Sequence, residues 1–119
     1  MQLAAEMLAD ARLMRDSGRL KSAADRADSA MFHAAHAALS QTDARPPKTH
    51  KGTRTLFARH FVTTKKVPRT LSQDLTFAFE LRQATTYEVE AAFGEEAVDE
   101  VIRKAGAFVT CIQQLLSIT

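Results

Sequence analysis

The chain is poor in the residues that interrupt helices and in cysteine. Its 119 residues include four glycines, three prolines, one cysteine and no tryptophan. Few glycines and prolines favour long helices over a turn-rich β-architecture. A single cysteine, Cys111, excludes an internal disulfide. No stretch resembles a signal peptide or a membrane span, so we expect a cytoplasmic protein without membrane partners.

Apolar residues recur at helical spacing, and no segment alternates with the period of two that is typical of strands. The predicted helices run from Met1 to about Asp16, from about Arg19 to Ser40, from near Thr49 to about Val62, from Thr70 to about Tyr87, and from Glu95 onward, after a break at Gly94. Thr49 is a predicted N-cap, and Thr70 with Gln73 a predicted capping box. Short connections predict an all-α, up-and-down antiparallel bundle of about five helices, forming a single domain over residues 1–119.

Two of these helices have distinctive apolar faces. The second is rich in alanine, which permits close approach of another helix. Together with the uneven charge distribution, this suggests a two-fold homodimer. The last predicted helix has the most regular apolar stripe of the chain, from Val98 to Leu116, so it should lie against the core.

Acidic residues are missing from the middle of the chain. None occurs between Asp43 and Asp74, an interval that holds Arg45, Lys48, Lys51, Arg54, Arg59, Lys65, Lys66 and Arg69, half of the sixteen Lys and Arg residues. The pattern suits a solvated surface, a phosphate-binding surface or an acidic protein partner. If phosphates bind, we expect Lys51, Arg54, Arg59, Lys65 and Lys66 to contact them.

Histidine and arginine supply the other candidate site residues. His33 and His36 lie three apart on one predicted helix, but no Glu-x-x-His pair accompanies them. We therefore predict neither a metal nor a cofactor, and treat His33 and His50 as ligand-binding candidates. Arg82 stands in an otherwise apolar helical run, 77-FAFELRQATTY-87. It is either a site residue or a structural bridge to Glu80, Glu88 or an acidic residue of the last helix.

Three stretches, read in order, resemble the HEPN family of small helical bundles. They are 30-AMFHAAHAAL-39, 49-THKG-52 with the following Leu56-Phe57 and 60-HFV-62, and 78-AFELR-82 with Tyr87. The resemblance covers nearly the whole chain and is closest to the branch that often accompanies a minimal nucleotidyltransferase. It implies an all-α homodimer that binds nucleotide or RNA, often within a toxin–antitoxin pair.

The same resemblance implies a catalytic arginine followed, after four to six residues, by a histidine that together cleave RNA without a metal. Here Arg82 aligns with the arginine, and Tyr87, Glu88 and Val89 occupy the histidine positions. A tyrosine is a weak general base at neutral pH. Arg82 and Tyr87 are thus the predicted catalytic pair of a slow or inactive enzyme.

Three functions remain open at this stage. The first is a HEPN-like nucleotide- or RNA-binding homodimer acting with a nucleotidyltransferase. The second is an active ribonuclease toxin using Arg82 with Tyr87 or one of His33, His36 and His50. The third is a non-enzymatic bundle whose basic interval binds an acidic protein.

Overall fold

The computed structural model describes residues 1–45, 47–86 and 94–117. Within these ranges the helices are α1 (Gln2–Asp16), α2 (Leu20–Leu39), α3 (His50–Phe57), which continues into a π-helical turn (Ala58–Val62), α4 (Thr70–Thr86) and α5 (Glu95–Ser117). The prediction of an all-α helical bundle is confirmed. The described helix ends agree with the predicted ones to within one or two residues, and Tyr87 lies outside the described residues. Over the described ranges, no helix is long and apolar enough to cross a membrane.

Helix α2 is the centre of the bundle and packs against α1, α3, α4 and α5. Seven of its eight alanines are completely buried, Ala37 being the exception: Ala23, Ala24, Ala27, Ala30, Ala34, Ala35 and Ala38. Their small side chains let several helices of the same chain approach one axis closely. The alanine-rich face is therefore occupied by intramolecular contacts, and a dimer interface would have to lie elsewhere.

Helix α5 confirms the predicted apolar stripe. Its fully or almost fully buried residues are Val98, Val101, Ala105, Phe108, Val109 and Ile112. The Phe108 ring packs on Phe57 of α3, with 5.3 Å between ring centroids. The stripe lies along α2, so the longest helix closes one side of the core.

Helix α3 is positioned by a cap. The Thr49 hydroxyl accepts a hydrogen bond from the backbone N–H of Gly52 at 3.0 Å, as its sequence position predicts. The helix then widens into the π-helical turn, where the Thr63 N–H donates to the carbonyl of Ala58. Such turns occur frequently at functional sites.

The π-helical turn ends in a Schellman motif. The N–H groups of Lys65 and Lys66 donate to the carbonyls of Val62 and Phe61, at 3.0 and 2.9 Å. Lys65 has a φ of 61°, the left-handed conformation that this motif usually assigns to glycine. A non-glycine residue in that conformation carries backbone strain.

Candidate functional site

Arg82 lies on α4 beside two carboxylates of α2. Its Nε donates to Oδ1 of Asp25 at 2.8 Å and lies 3.9 Å from Oδ2 of Asp28. Asp25 and Asp28 are three residues apart, so they share the face of α2 that meets α4. These contacts join Arg82 to α2, whereas the predicted ion pairs were with Glu80, Glu88 or an acidic residue of α5; Glu88 lies outside the described residues. Glu80 is two residues from Arg82 on the same helix and therefore faces another direction.

Asp28 is the buried member of this cluster, with 2% of its surface exposed. Burial raises the pKa of its carboxyl from 3.8 to about 6; the nearby Arg82 and Arg54 guanidinium groups oppose this rise, and the Asp25 carboxylate adds to it. The carboxyl is therefore mostly ionised at neutral pH. The two arginines keep a charge inside the protein that desolvation alone would neutralise.

His50 approaches the same carboxylate from α3. Its Nε2 lies 3.7 Å from the Oδ2 atom that Arg82 also approaches. Burial lowers the pKa of the His50 imidazole, and the charges of Arg82 and Arg54 lower it further. The ring is thus neutral at pH 7, so its contact with Asp28 joins an uncharged imidazole to a carboxylate and is not an ion pair.

The His50 ring is held between two aromatic side chains. Its centroid is 4.6 Å from that of Phe32 on α2 and 4.8 Å from that of Phe79 on α4. The column continues on one side with His36, 4.1 Å from Phe32, and on the other with the Arg54 guanidinium, 4.7 Å from the Phe79 centroid. This stack of planar groups joins α2, α3 and α4 and fixes the edge of the imidazole toward Asp28.

Hydrogen bonds through Thr53 also join α3 to α2. The Thr53 hydroxyl donates to the carbonyl of Thr49 at 2.9 Å and lies 3.0 Å from Nε2 of His36. Because the hydroxyl proton is used in the first bond, His36 is the donor in the second. Burial lowers the pKa of His36, with a further contribution from His33, which agrees with a neutral ring. Thr53 itself is buried.

Arg54 has an unusual environment. Its Nη1 atom is buried, with no hydrogen-bond partner among the described residues, while the rest of its guanidinium stacks on Phe79. Buried donors are normally satisfied. An oxygen atom of a bound ligand could supply the missing acceptor.

A polar cavity of about 300 Å³ opens next to the Arg82–Asp25 pair. It is lined by Lys21, Ser22, Asp25, Arg26, Arg82 and Thr85. Its charged lining residues are three cations and one carboxylate, an arrangement that favours a small anion. Lys21 and Arg26 were not predicted from the sequence, because they lie outside the acid-free interval between Asp43 and Asp74. Their spacing in the sequence could have indicated them, since residues 21, 22, 25 and 26 share one face of α2.

The structure brings some predicted residues together and separates others. Arg82, Arg54 and His50 converge around Asp28, and His33 touches the cluster through Phe32, at 5.9 Å between centroids. Lys51 and Arg59 are exposed. Lys66 lies near Ala38, at the other end of α2 from Asp25, which is about 20 Å away at 1.5 Å per residue. Lys65 lies beside Lys66 on an adjoining surface. The predicted catalytic residue Tyr87 is outside the described residues. Within the described ranges, no three His, Cys, Asp or Glu side chains form a metal-binding group.

The fold and this cluster define a small all-α bundle with a carboxylate–arginine centre. The family model described as HEPN domain matches residues 1–115. The chain therefore belongs to the HEPN family, as the resemblance of its three stretches indicated.

Two similar proteins span nearly all of the chain. A "UPF0332 protein" of Thermotoga maritima is 36% identical over 113 residues, which are 95% of this chain and 85% of that protein. "Putative toxin MJ0605" of Methanocaldococcus jannaschii is 29% identical over 115 residues, 97% of this chain and 84% of that protein.

Proposed function

We propose that this HEPN-family protein binds nucleotide or RNA by placing a phosphate group in the cavity beside Arg82. The observation that carries the proposal is the convergence of Lys21, Arg26 and Arg82 on one polar cavity of about 300 Å³. A guanidinium held by a helix can form paired hydrogen bonds to phosphate oxygens, which a flexible ammonium group cannot reproduce.

Asp25 is the side chain that a phosphate must displace from Arg82 to bind in this cavity. It accepts a hydrogen bond from Arg82 at 2.8 Å, yet its side chain is 44% exposed. An exposed ion pair is weak, so an incoming phosphate can replace the Asp25 carboxylate at little cost. Asp28 stays buried behind Arg82 and holds the guanidinium in place during this exchange.

The biological setting is part of the proposal. The name of the Methanocaldococcus relative supports a toxin-related role. We further propose that the protein acts as a cytoplasmic homodimer beside a minimal nucleotidyltransferase, in a toxin–antitoxin pair, as its family resemblance implies.

A second candidate function is slow, metal-independent RNA cleavage. The favouring observation is that His50 and Arg82 approach the same Asp28 oxygen, so a neutral imidazole stands beside the phosphate-binding arginine. Asp28 would orient the ring, which would accept the proton of a ribose 2′-hydroxyl as its oxygen bonds to the adjacent phosphorus. The bond from phosphorus to the 5′-oxygen would break, that oxygen would take a proton from water, and Arg82 would stabilise the charge on the phosphate. This arrangement would supply from α3 the histidine that is missing after Arg82.

The decisive test compares Arg82→Ala, Arg82→Lys and a control, Arg103→Ala. Arg103 is an exposed arginine paired with Glu100 on α5. Affinity for a fluorescently labelled single-stranded RNA is measured by anisotropy at low salt, with thermal unfolding recorded for each variant. We expect Arg82→Ala to weaken binding about tenfold or more, without rescue by lysine, while Arg103→Ala leaves it nearly unchanged.

The salt dependence of wild-type affinity completes this test, because phosphate contacts release counterions. Unchanged RNA affinity in folded Arg82→Ala would refute the proposed site. Loss of stability with RNA binding retained would show that Arg82 is only a structural bridge.

Cleavage is tested separately with the His50→Gln variant and with a control oligonucleotide of the same base sequence in which every ribose is replaced by 2′-deoxyribose. If His50 transfers the proton, His50→Gln loses cleavage but keeps RNA affinity, and the deoxy substrate is bound without being cut. Cleavage that survives in His50→Gln would exclude this residue as the base.

A further inference from the structure

A second cavity lies at the opposite end of α2 and has a different chemistry. Its volume is about 330 Å³, and its lining is mainly apolar, with Phe61, Leu115 and Leu116 among its walls. The Thr42 hydroxyl at its edge is already engaged, donating to the Leu39 carbonyl at 2.7 Å and accepting from the Ala44 N–H at 3.1 Å. Gln41 and Lys66 are the other polar residues of the lining, so a ligand inside would be held largely by apolar contact.

The mouth of this cavity is basic. Lys66 borders it and also borders an adjoining concave surface of about 560 Å³, where Lys65 and Arg69 are found. All three cations are exposed, and in the described part of the chain Lys65 and Lys66 form no ion pair. The interval from residue 44 to 73 has no acidic residue to compensate them. An apolar hollow with a cationic rim is complementary to a molecule that is apolar at one end and anionic at the other.

The backbone at the rim adds an independent observation. Lys65 occupies the left-handed position of its Schellman motif at a φ of 61°, whereas the equivalent position after α1 is Gly18 at 77°. Strained residues of this kind cluster at ligand-binding sites. The lysine places an ammonium group at the rim at a cost in backbone energy that glycine would avoid.

We propose that this second cavity binds a small amphiphile with one alkyl or aryl chain and an anionic head group. The chain occupies the hollow beside Phe61 and Leu115, and the carboxylate or phosphate head lies between Lys65, Lys66 and Arg69. The site is about 20 Å along α2 from the Arg82 cavity, so it does not depend on the function proposed for that cavity.

Titration calorimetry with three probes tests the chemistry of the cavity. Octanoate has both chain and charge, octan-1-ol has the chain alone and acetate has the charge alone. We expect octanoate to bind about tenfold more tightly than either control, because apolar burial and a charge-assisted contact both contribute. Equal affinities for octanoate and acetate would reduce the site to surface ion pairing and overturn the proposal, as would equal affinities for octanoate and octan-1-ol.

Variants locate the site. Lys66→Gln should weaken octanoate binding about fivefold or more and leave octan-1-ol binding unchanged, whereas Lys48→Gln, in the same basic interval, should change neither. Arg82→Ala should retain octanoate binding, which separates this site from the RNA site. Octanoate binding that is insensitive to Lys66→Gln, or that is displaced by short RNA, would overturn the assignment.

The Lys65→Gly variant distinguishes a ligand-binding role of Lys65 from a purely structural one. It should raise the melting temperature by relieving strain and at the same time weaken octanoate binding. A higher melting temperature with unchanged octanoate affinity would contradict a role for Lys65 in the rim.

Discussion

The two ends of α2 differ in how the charged side chains around them are compensated. Near its beginning, Asp25 and Asp28 face Arg82, and the deeper carboxylate is 2% exposed. Near its end, the exposed Lys66 borders an apolar hollow, and the exposed Lys65 and Arg69 lie on the adjoining surface. A buried charge must be compensated by neighbours in the fold, whereas an exposed one is compensated by water and salt.

This difference predicts how each end responds to a ligand. At the Arg82 end a phosphate must replace the existing Asp25 contact, so binding is an exchange of partners. At the lysine end an anion meets cations that have no carboxylate within ion-pair distance in the described chain, and apolar burial adds to the attraction. The Arg82 site should select ligands by the geometry of their phosphate group. The site at the lysine end should select ligands that combine an apolar chain with an anionic head group.

The largest expected effect concerns the pH dependence contributed by Asp28. The unfolded chain releases this proton near pH 4, whereas the folded protein holds it up to about pH 6. Because the folded state binds more protons between these values, the free energy of unfolding should fall by about 2 kcal/mol as pH rises from 4 to 7. Asp28→Asn removes this fall, so the variant should gain stability relative to wild type across the interval.

Urea unfolding of wild type and Asp28→Asn at several pH values between 4 and 7 measures this difference. Asp43→Asn, which removes an exposed carboxylate, is the matched control. Parallel pH profiles for wild type and Asp28→Asn would show that burial does not perturb this carboxyl and would remove the contrast between the two ends.

The next effect concerns the cap that positions His50. Thr49→Ala removes the acceptor for the Gly52 N–H and should cost about 1 kcal/mol of stability. Thr55→Ala, an exposed substitution within α3, should be neutral or slightly stabilising because alanine has the higher helix propensity. Chemical denaturation measures both variants, and equal effects would argue that Thr49 is not an energetically important cap.

The smallest effect concerns the strained lysine. Lys65→Gly should stabilise the protein by about 0.5–1 kcal/mol, the left-handed strain relieved minus the entropic cost of glycine. Lys66→Gly is the control, because Lys65 is the one non-glycine residue with positive φ among those described, and it should destabilise. If both variants are less stable than wild type, the backbone strain at Lys65 is too small to support a ligand-binding role for the rim.

Local sequence features predicted the helices well. Thr49 caps α3, Gly18 ends α1 in the left-handed conformation, and the stripe from Val98 to Ile112 is buried as its spacing requires. These features depend on neighbours within a few residues, so the sequence displays them directly. The π-helical turn at Ala58–Val62 was not predicted, because its hydrogen bonds differ from those of an α-helix by only one residue.

The candidate site was predicted only in part. Arg82, Arg54 and His50 were among the predicted site residues, and the structure places them around Asp28, a carboxylate that was not among those predicted. Phe32 and Phe79, which hold the imidazole, looked like ordinary apolar positions. Arg82 was expected to pair with Glu80, Glu88 or an acidic residue of the last helix; Glu88 lies outside the described residues, and a partner that the structure does describe, Asp25, is 57 residues earlier in the chain.

What the sequence determined by itself was therefore the set of helices, their ends and their apolar faces, since these follow from periodicity and capping over short separations. Only the tertiary structure decided which charges meet. Packing α2 against α3 and α4 desolvates Asp28 and places two arginines and a histidine around it, while the length of α2 separates Lys66 from that centre. Charges are compensated or left exposed according to distances between helices, and these distances are set by the side chains that fill the core.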